Sequence, residues 1–351
     1  MKRQLLGVAA ILLSISTYAQ DNPLWMRYCA ISPDGTTIAF TYKGDIYTVP
    51  STGGRASQIT TNPAHDTKPI WSPDGKKIAF ASDRMGSMDI FEVNKEGGIP
   101  KRLTTHSGNE TPVAYKDAGH ILFLANIMPT AEDAQFPSGQ FQQVYEVNTE
   151  GGRPILFSSM PMEDISINHT GNTLLYHDKK GYEDPWRKHH TSSITRDIWL
   201  CSLNGNRTFR KQTAFNGEDR TPVWASDDKS FYYLSEEKGS FNIFKRDIDG
   251  NTSKQITNHT KHPVRFLSAA SNGTLCYGYD GEIYTVKEGA IPQKVQISIV
   301  TDKNDKDLIR QIKRSGATEI SLSPDAKEIA FVLRGDVYVT STEYSLSLIH
   351  I

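Results

Sequence analysis

Ile31-Ser32-Pro33-Asp34-Gly35, Ile38-Ala39-Phe40, Asp45-Ile46-Tyr47-Thr48-Val49, Gly53-Gly54 and Gln58-Ile59-Thr60 succeed one another within one short stretch. They read as strand, turn, strand, strand, turn, strand. Proline presets φ, aspartate can hydrogen bond its own backbone, and glycine takes the positive φ that closes a hairpin. A second copy follows about 40 residues on: Trp71-Ser72-Pro73-Asp74-Gly75, Ile78-Ala79-Phe80, Asp89-Ile90-Phe91-Glu92-Val93, Gly97-Gly98 and Arg102-Leu103-Thr104. Later copies lose the turn but keep the third strand, as Gln143-Val144-Tyr145-Glu146-Val147, Asp197-Ile198-Trp199-Leu200, Asn242-Ile243-Phe244 and Glu282-Ile283-Tyr284-Thr285-Val286. Six such units fit between Leu24 and Ile297. Four-stranded units of this period, arranged radially, are the blades of a β-propeller, which has about four to eight of them. The expected fold class is therefore all-β, a six-bladed β-propeller of four-stranded antiparallel blades. Each blade's apolar face needs its neighbour, so the ring is its own core. A solenoid is the weaker reading, because nothing in the sequence resembles a polar capping repeat.

Beyond the sixth unit, Asp302-Lys303-Asn304-Asp305-Lys306-Asp307 lacks the glycine and terminal glutamate of an EF-hand loop and reads as a solvated linker. The repeat then restarts with Ile320-Ser321-Leu322-Ser323-Pro324-Asp325, Ile329-Ala330-Phe331 and Gly335-Asp336-Val337-Tyr338-Val339, expected as the first strands of a second propeller. Three strands end at Tyr344 with no Gly-Gly turn and no fourth strand, leaving an unpaired edge. Leu346-Ser347-Leu348-Ile349-His350-Ile351 is what a sequencing-library transposon adapter encodes in one frame. The chain is accordingly expected to be an N-terminal fragment. Its expected organisation is a signal peptide at 1–20, a six-bladed propeller at 21–297, a linker at 298–317, an incomplete blade at 318–345 and a non-native, adapter-derived tail at 346–351.

The first segment is read as an address. Lys2 and Arg3 precede an apolar stretch from Leu5 to Ile15, followed by Ser16, Thr17, Tyr18 and Ala19. That is the layout of a secretory signal peptide, cleaved near Ala19 or Gln20. The apolar run is shorter than the ~20 residues of a membrane span, and no cysteine stands at the cleavage site. The expectation is a periplasmic or secreted bacterial protein with no membrane span after cleavage.

With 39 Lys+Arg against 40 Asp+Glu, the chain has a net charge of −1, which removes nucleic acid and anionic lipid as partners of choice. Hydrophobic residues at 37% are too few for a polytopic membrane protein. Cys29, Cys201 and Cys276 are odd in number and widely spaced, so they read as buried free thiols with no disulfide framework, zinc site or redox role.

No Gly-x-Ser-x-Gly, His-Glu-x-x-His, phosphate loop or Cys-x-x-Cys is present, so no catalytic residue, metal ligand or cofactor is assigned. The longest insertion in a blade, Gly181 to Asp197, carries the candidate substrate-binding residues Arg187, Lys188, His189, His190 and Arg196. Adjacent histidines on a strand point to opposite faces and cannot share one metal. Two readings compete: a cationic patch facing a ligand, since long loops in compact folds are often functional, or a packed loop anchored by Trp186. In the packed loop the arginines pair with Glu183, Asp184 or Asp197.

The run Pro-Trp-Arg-Lys-His-His-Thr-Ser-Ser-Ile-Thr-Arg-Asp-Ile-Trp, the Ser-Pro-Asp-Gly hairpins and Ser315-Gly316-Ala317-Thr318-Glu319 ahead of the restarted repeat resemble the tricorn-type serine peptidases over residues 24 to 344. Ser-Pro-Asp-Gly by itself is shared with TolB propellers and other WD40-like (PD40) repeats. The resemblance implies a family S41-type peptidase that cuts oligopeptides, with a six-bladed and a seven-bladed propeller, a PDZ domain and a catalytic core. The serine, its histidine base and the oxyanion donors then lie downstream of this chain. It also implies that the six-bladed ring guides peptides and helps hold their C-terminal carboxylate through an arginine pair in a blade-three insertion. Here that stretch reads Phe136-Pro137-Ser138-Gly139-Gln140-Phe141-Gln142-Gln143, without arginine, and Arg187, Lys188 or Arg196 are the nearest basic substitutes. Partners implied are a peptide substrate and the downstream domains, with homo-oligomerisation an open option. The alternatives are a non-catalytic TolB or WD40-like protein-binding propeller and, less well matched, a propeller joined to an α/β-hydrolase.

Overall fold

The computed structural model describes residues 23–127, 141–182, 184, 186–187, 191–300 and 315–343, with the backbone of Ile349–His350. Every regular element among them is a strand, in seven four-stranded antiparallel sheets and one short parallel pair. Blade 1 runs Arg27–Ile31, Thr37–Tyr42, Asp45–Pro50, Ser57–Gln58. Blades 2 to 6 repeat the same order, beginning at Asp66–Trp71, Thr111–Asp117, Met162–Ile167, Asp219–Trp224 and Arg265–Ala269. Each of these first strands packs against the next, and the sixth returns to the first, so they form the inner wall of a closed ring. The expected six-bladed propeller is the observed fold.

The repeated motifs are latches made within each unit. In blade 1 the Ser32 hydroxyl donates to Asp34 at 2.6 Å and accepts from the Thr37 amide at 3.0 Å, while Asp34 also takes the Thr36 amide. Ser72 and Asp74 repeat this in blade 2, and Ser323 and Asp325 in the sheet beyond the ring. These bonds hold the Asp34 and Asp74 carboxyls below their usual range. A second latch explains why threonine follows the fourth strand. The hydroxyls of Thr60, Thr104, Thr213 and Thr257 accept from the amides of Ile46, Ile90, Ile198 and Ile243, at the start of the third strand, at 2.9–3.0 Å.

Period-two alternation along the middle strands distributes the core between neighbours. Ile38 and Phe40 enter the cluster shared with blade 6, whereas Ala39 enters the one shared with blade 2. Leu174 and Tyr176 likewise face blade 3 and Leu175 faces blade 5. The six hydrophobic clusters are thus the six blade interfaces. The ring is closed by a parallel pairing of Ile297–Ser298 with Gly54–Arg55. A side chain at Gly53 would meet the Gln296 carbonyl at 2.6 Å, so the first glycine of that turn is required by close approach. The closing strand runs one residue past the expected boundary at Ile297.

Beyond the ring, Ala317–Leu322, Glu328–Leu333 and Asp336–Ser341 form a further sheet. The sequence suggests no fourth strand, yet the backbone of Ile349 and His350 pairs with Val339 and Tyr338. The edge left by the third strand offers free amides and carbonyls to any extended segment nearby. Arg334 ties this sheet to the ring, donating to the Pro63 carbonyl at 3.4 Å and lying 3.8 Å from Asp83. The expected leader at 1–20, Phe136–Gln140, Asp302–Asp307 and residues 346–348 lie outside the described residues.

Candidate functional site

The inner strands share a feature that no motif announces. Each is interrupted by a register shift, and in five of them the shift carries a residue at positive φ: Tyr28 (52°), Lys68 (53°), Asp164 (48°), Thr221 (52°) and Phe266 (57°). For a β-branched residue such as Thr221 this conformation is an outlier. It is held by the Thr221 hydroxyl donating to Asp164 at 2.7 Å. These residues meet around the axis. Lys68 Nζ lies 5.8 Å from the Tyr28 ring, and Tyr28 lies 4.8 Å from Phe266.

The blade-four insertion reaches across to this level. Trp186 lies edge-on to Phe266 of blade 6 at 6.0 Å, with the guanidiniums of Arg27 and Arg265 at 4.8 and 5.0 Å from its ring. Arg265 also donates to the Trp186 carbonyl at 2.5 Å. Trp186 therefore anchors the insertion, as the packed-loop reading expects, by cation–π contact from two blades.

Arg196 is buried and Arg187 is partly buried, its side chain 10% exposed. Arg187 Nη2 meets Glu218 at 2.5 Å and its Nη1 lies 3.3 Å from Glu236, while Arg196 donates to Glu218 at 3.0 Å and lies 3.6 Å from Glu163. Arg220 completes the group at 3.3 Å from Glu218. The partners are thus carboxylates of blades 4 and 5. Asp197, a nearer candidate along the sequence, is instead engaged by Lys180 and Lys211. Burial by itself would raise the Glu218 carboxyl, but Arg196, Arg220 and Arg187 outweigh it and hold the group below its usual range. Burial lowers Arg220, whereas Arg187 is raised because Glu218 and Glu236 outweigh its burial. Lys188, His189 and His190 lie outside the described residues.

Other cations occupy the insertion-side end of the channel. Among the described residues Arg27, Lys43 and Lys68 have no carboxylate partner. A cleft of about 340 Å³ there, walled on one side by the outer sheet, is bordered by Arg27, Lys43, His65, Trp186 and Arg334 and by the acid Asp83. Burial, with the nearby positive charge of Arg334, pushes His65 below its usual value. Burial and the charges of Arg220 and Arg27 similarly bring Arg265 down to about 10. The opposite mouth, about 710 Å³, is walled by all six inner strands through residues such as Ala30, Ile70, Val113, Ser166, Val223 and Ser268. Its charged groups are paired, Lys116 with Glu146, Asp117 with His120 and His169 with Asp228. The one sequence signal for the inner ring is positional: each of the five positive-φ residues stands four places before the residue that opens the next turn.

The model of the tricorn protease N-terminal β-propeller domain matches residues 23–290. This chain belongs to that family. The tricorn-type propeller described here is 25% identical over 281 residues to tricorn protease homolog 1 of Streptomyces coelicolor, covering 79% of this chain and 25% of that protein. It is 27% identical over 295 residues to the tricorn protease homolog of Saccharolobus solfataricus, covering 80% and 26%. It spans about a quarter of the length of these curated relatives. A crystal structure of the tricorn protease matches with a TM-score of 0.68 at 20% identity, covering 93% of this chain and 31% of that one, a likeness in fold.

Proposed function

We propose that this chain is the channel-forming, non-catalytic propeller of an exported tricorn-type serine peptidase of the S41 kind, and that its insertion-side end attracts the negative end of oligopeptides. Family membership and the share of the relatives' length support the first part, and the charged, apolar-cored leader supports export to the periplasm. The observation that carries the second part is that Arg27, Lys43 and Lys68 have no carboxylate partner among the described residues and face the rings of Trp186, Tyr42 and Tyr28 respectively, Arg27 and Lys43 also lining the cleft. Arg187 and Arg196 serve this end indirectly, by fixing the insertion that positions Trp186. Lys188, His189 and His190 belong to the same insertion; Lys188 adds a positive charge already at neutral pH, and the two histidines would add more as pH falls toward the ordinary histidine value of about 6.5.

The test is binding of a short peptide with a free or an amidated C-terminus, followed by tryptophan fluorescence. The free acid should bind at least about tenfold tighter, near 1.4 kcal/mol. Lys43→Met with Lys68→Met should erase that difference. Equal binding of both peptides would refute the reading.

A further inference from the structure

The first and last blades are joined without a covalent link. The joint consists of the parallel pairing of Ile297–Ser298 with Gly54–Arg55, the Met26 amide on the Gly281 carbonyl at 3.1 Å, the Ile31 amide on Ser268 at 3.0 Å, and one hydrophobic interface. Two of the three cysteines lie in that interface. Cys29 comes from the inner strand of blade 1 and is 4% exposed; Cys276 comes from the second strand of blade 6 and is 0% exposed. Strand alternation turns Cys276 toward blade 1, while its neighbours Leu275 and Tyr277 face blade 5. Cys29 Sγ lies 3.4 Å from the Phe266 carbonyl, and Ser268, whose oxygen takes the Ile31 amide, donates to the Cys276 carbonyl at 3.4 Å. Both thiols thus enter one buried cluster at the joint, Cys276 paired in register with Ser268 and Cys29 set against Phe266 two residues earlier on that strand. Cys201 is buried elsewhere, between blades 3 and 4.

We propose that Cys29 and Cys276 are a redox pair whose oxidation closes the ring covalently. The oxidant is a small disulfide such as oxidised glutathione. One cysteine sulfur attacks the donor disulfide and releases one donor thiol, and the second cysteine then displaces the other donor thiol from the mixed disulfide. One S–S bond breaks in the donor and one forms in the protein. Two electrons pass to the donor, and the two cysteine protons leave with its thiols. In the closed ring, burial and the adjoining Cys29 thiol push the Cys276 thiol well above its usual value, so the attacking thiolate is scarce there. The exchange therefore belongs to folding, before blade 6 docks on blade 1. A link spanning about 250 residues lies in the range where constraint of the unfolded chain is strongest. This inference is independent of the peptide-handling proposal.

The test refolds the full chain from reductant and urea into a glutathione buffer rich in the oxidised form. Thiols in the soluble monomer are then counted in denaturant. Two of the three thiols should be lost, the mass should fall by about two daltons, and a tryptic map should join the Cys29 and Cys276 peptides. Cys29→Ala or Cys276→Ala should retain both remaining thiols. The same buffer applied to the folded, reduced chain should act at least about tenfold more slowly. Where refolding yields no monomer, the folded chain is held in urea just below its unfolding transition in the same buffer. Three free thiols in either arm, glutathione adducts at Cys29 and Cys276, or a link through Cys201 would overturn the proposal.

Discussion

Replacing Glu218 by glutamine tests whether the insertion is held by its buried ion network. Glu218 is 0% exposed and is approached by three guanidiniums, those of Arg187, Arg196 and Arg220, whose side chains are 10%, 7% and 8% exposed. Glutamine preserves the shape and leaves the Glu218 backbone amide free to donate to Glu236, as it does at 3.0 Å, but it removes one negative charge from among three buried cations. Breaking a buried pair on one side costs about 3–5 kcal/mol. With a urea dependence of roughly 3 kcal/mol/M, the unfolding midpoint should fall by about 1 M or more at pH 7. The sign of the pH dependence follows from the depressed folded-state value. The carboxylate's contribution is complete above the unfolded value of 4.5 and is lost as pH falls through the folded one. The gap between parent and Glu218→Gln should therefore narrow from pH 7 toward pH 3. Arg187→Ala and Arg196→Ala should also be destabilising, because each strands a buried carboxylate. A change below about 1 kcal/mol at pH 7, or a gap that widens on acidification, would show that the network is solvated and the arginines are available to a ligand.

Asp219 behaves in the opposite sense, because burial raises its carboxyl from 3.8 to about 7. Stability should decline as pH rises between those values, and Asp219→Asn should gain at pH 8, by no more than about 4 kcal/mol, and nothing at pH 4, as read by thermal unfolding. Thr60→Val leaves the Ile46 amide without its hydroxyl acceptor and should cost about 1–3 kcal/mol in urea unfolding. An unchanged midpoint would deny the latch. Ala326 occupies φ 57° where the equivalent turns of blades 1 and 2 have glycine; Ala326→Gly should make the outer sheet more resistant to limited proteolysis, and faster cleavage would contradict the strain argument. The purified chain should hydrolyse no fluorogenic peptide, and turnover that survives repurification would remove the non-catalytic reading.

The fold was legible because its signals close within one repeat unit. Ser32 with Asp34 and Thr60 with Ile46 bond inside a blade, so each copy repeats the residue types that make the bond. The alternation of Ile38, Ala39 and Phe40 likewise encodes two neighbours at once. The site was far less legible. Its inner ring is set by a backbone conformation that tyrosine, lysine, aspartate, threonine and phenylalanine all adopt here, so position repeats while chemistry does not. The partners of Arg187 were hidden by distance along the chain, since Glu218 and Glu236 lie 31 and 49 residues away in the next blade. Acids close in sequence were the natural guess, and Asp197 is engaged by lysines instead.

The two ends of the channel then differ for a physical reason. At the turn-side mouth, Lys116, Asp117 and His169 each have an opposite charge within reach, so the local field is weak and the wall is small and apolar. At the insertion side, Glu218 and Glu236 compensate Arg187, Arg196 and Arg220. Arg27 and Lys68 on the inner strands, and Lys43 in the turn between the second and third strands of blade 1, instead face aromatic rings, whose π faces favour a cation without neutralising it. An anion arriving at this end meets cations that have no carboxylate partner among the described residues, with Asp164 of the inner ring and Asp83 of the cleft wall as the nearby acids, whereas at the other end the cations are paired. A ligand chosen by charge would therefore enter from the insertion side, and salt should weaken it there far more than at the apolar mouth.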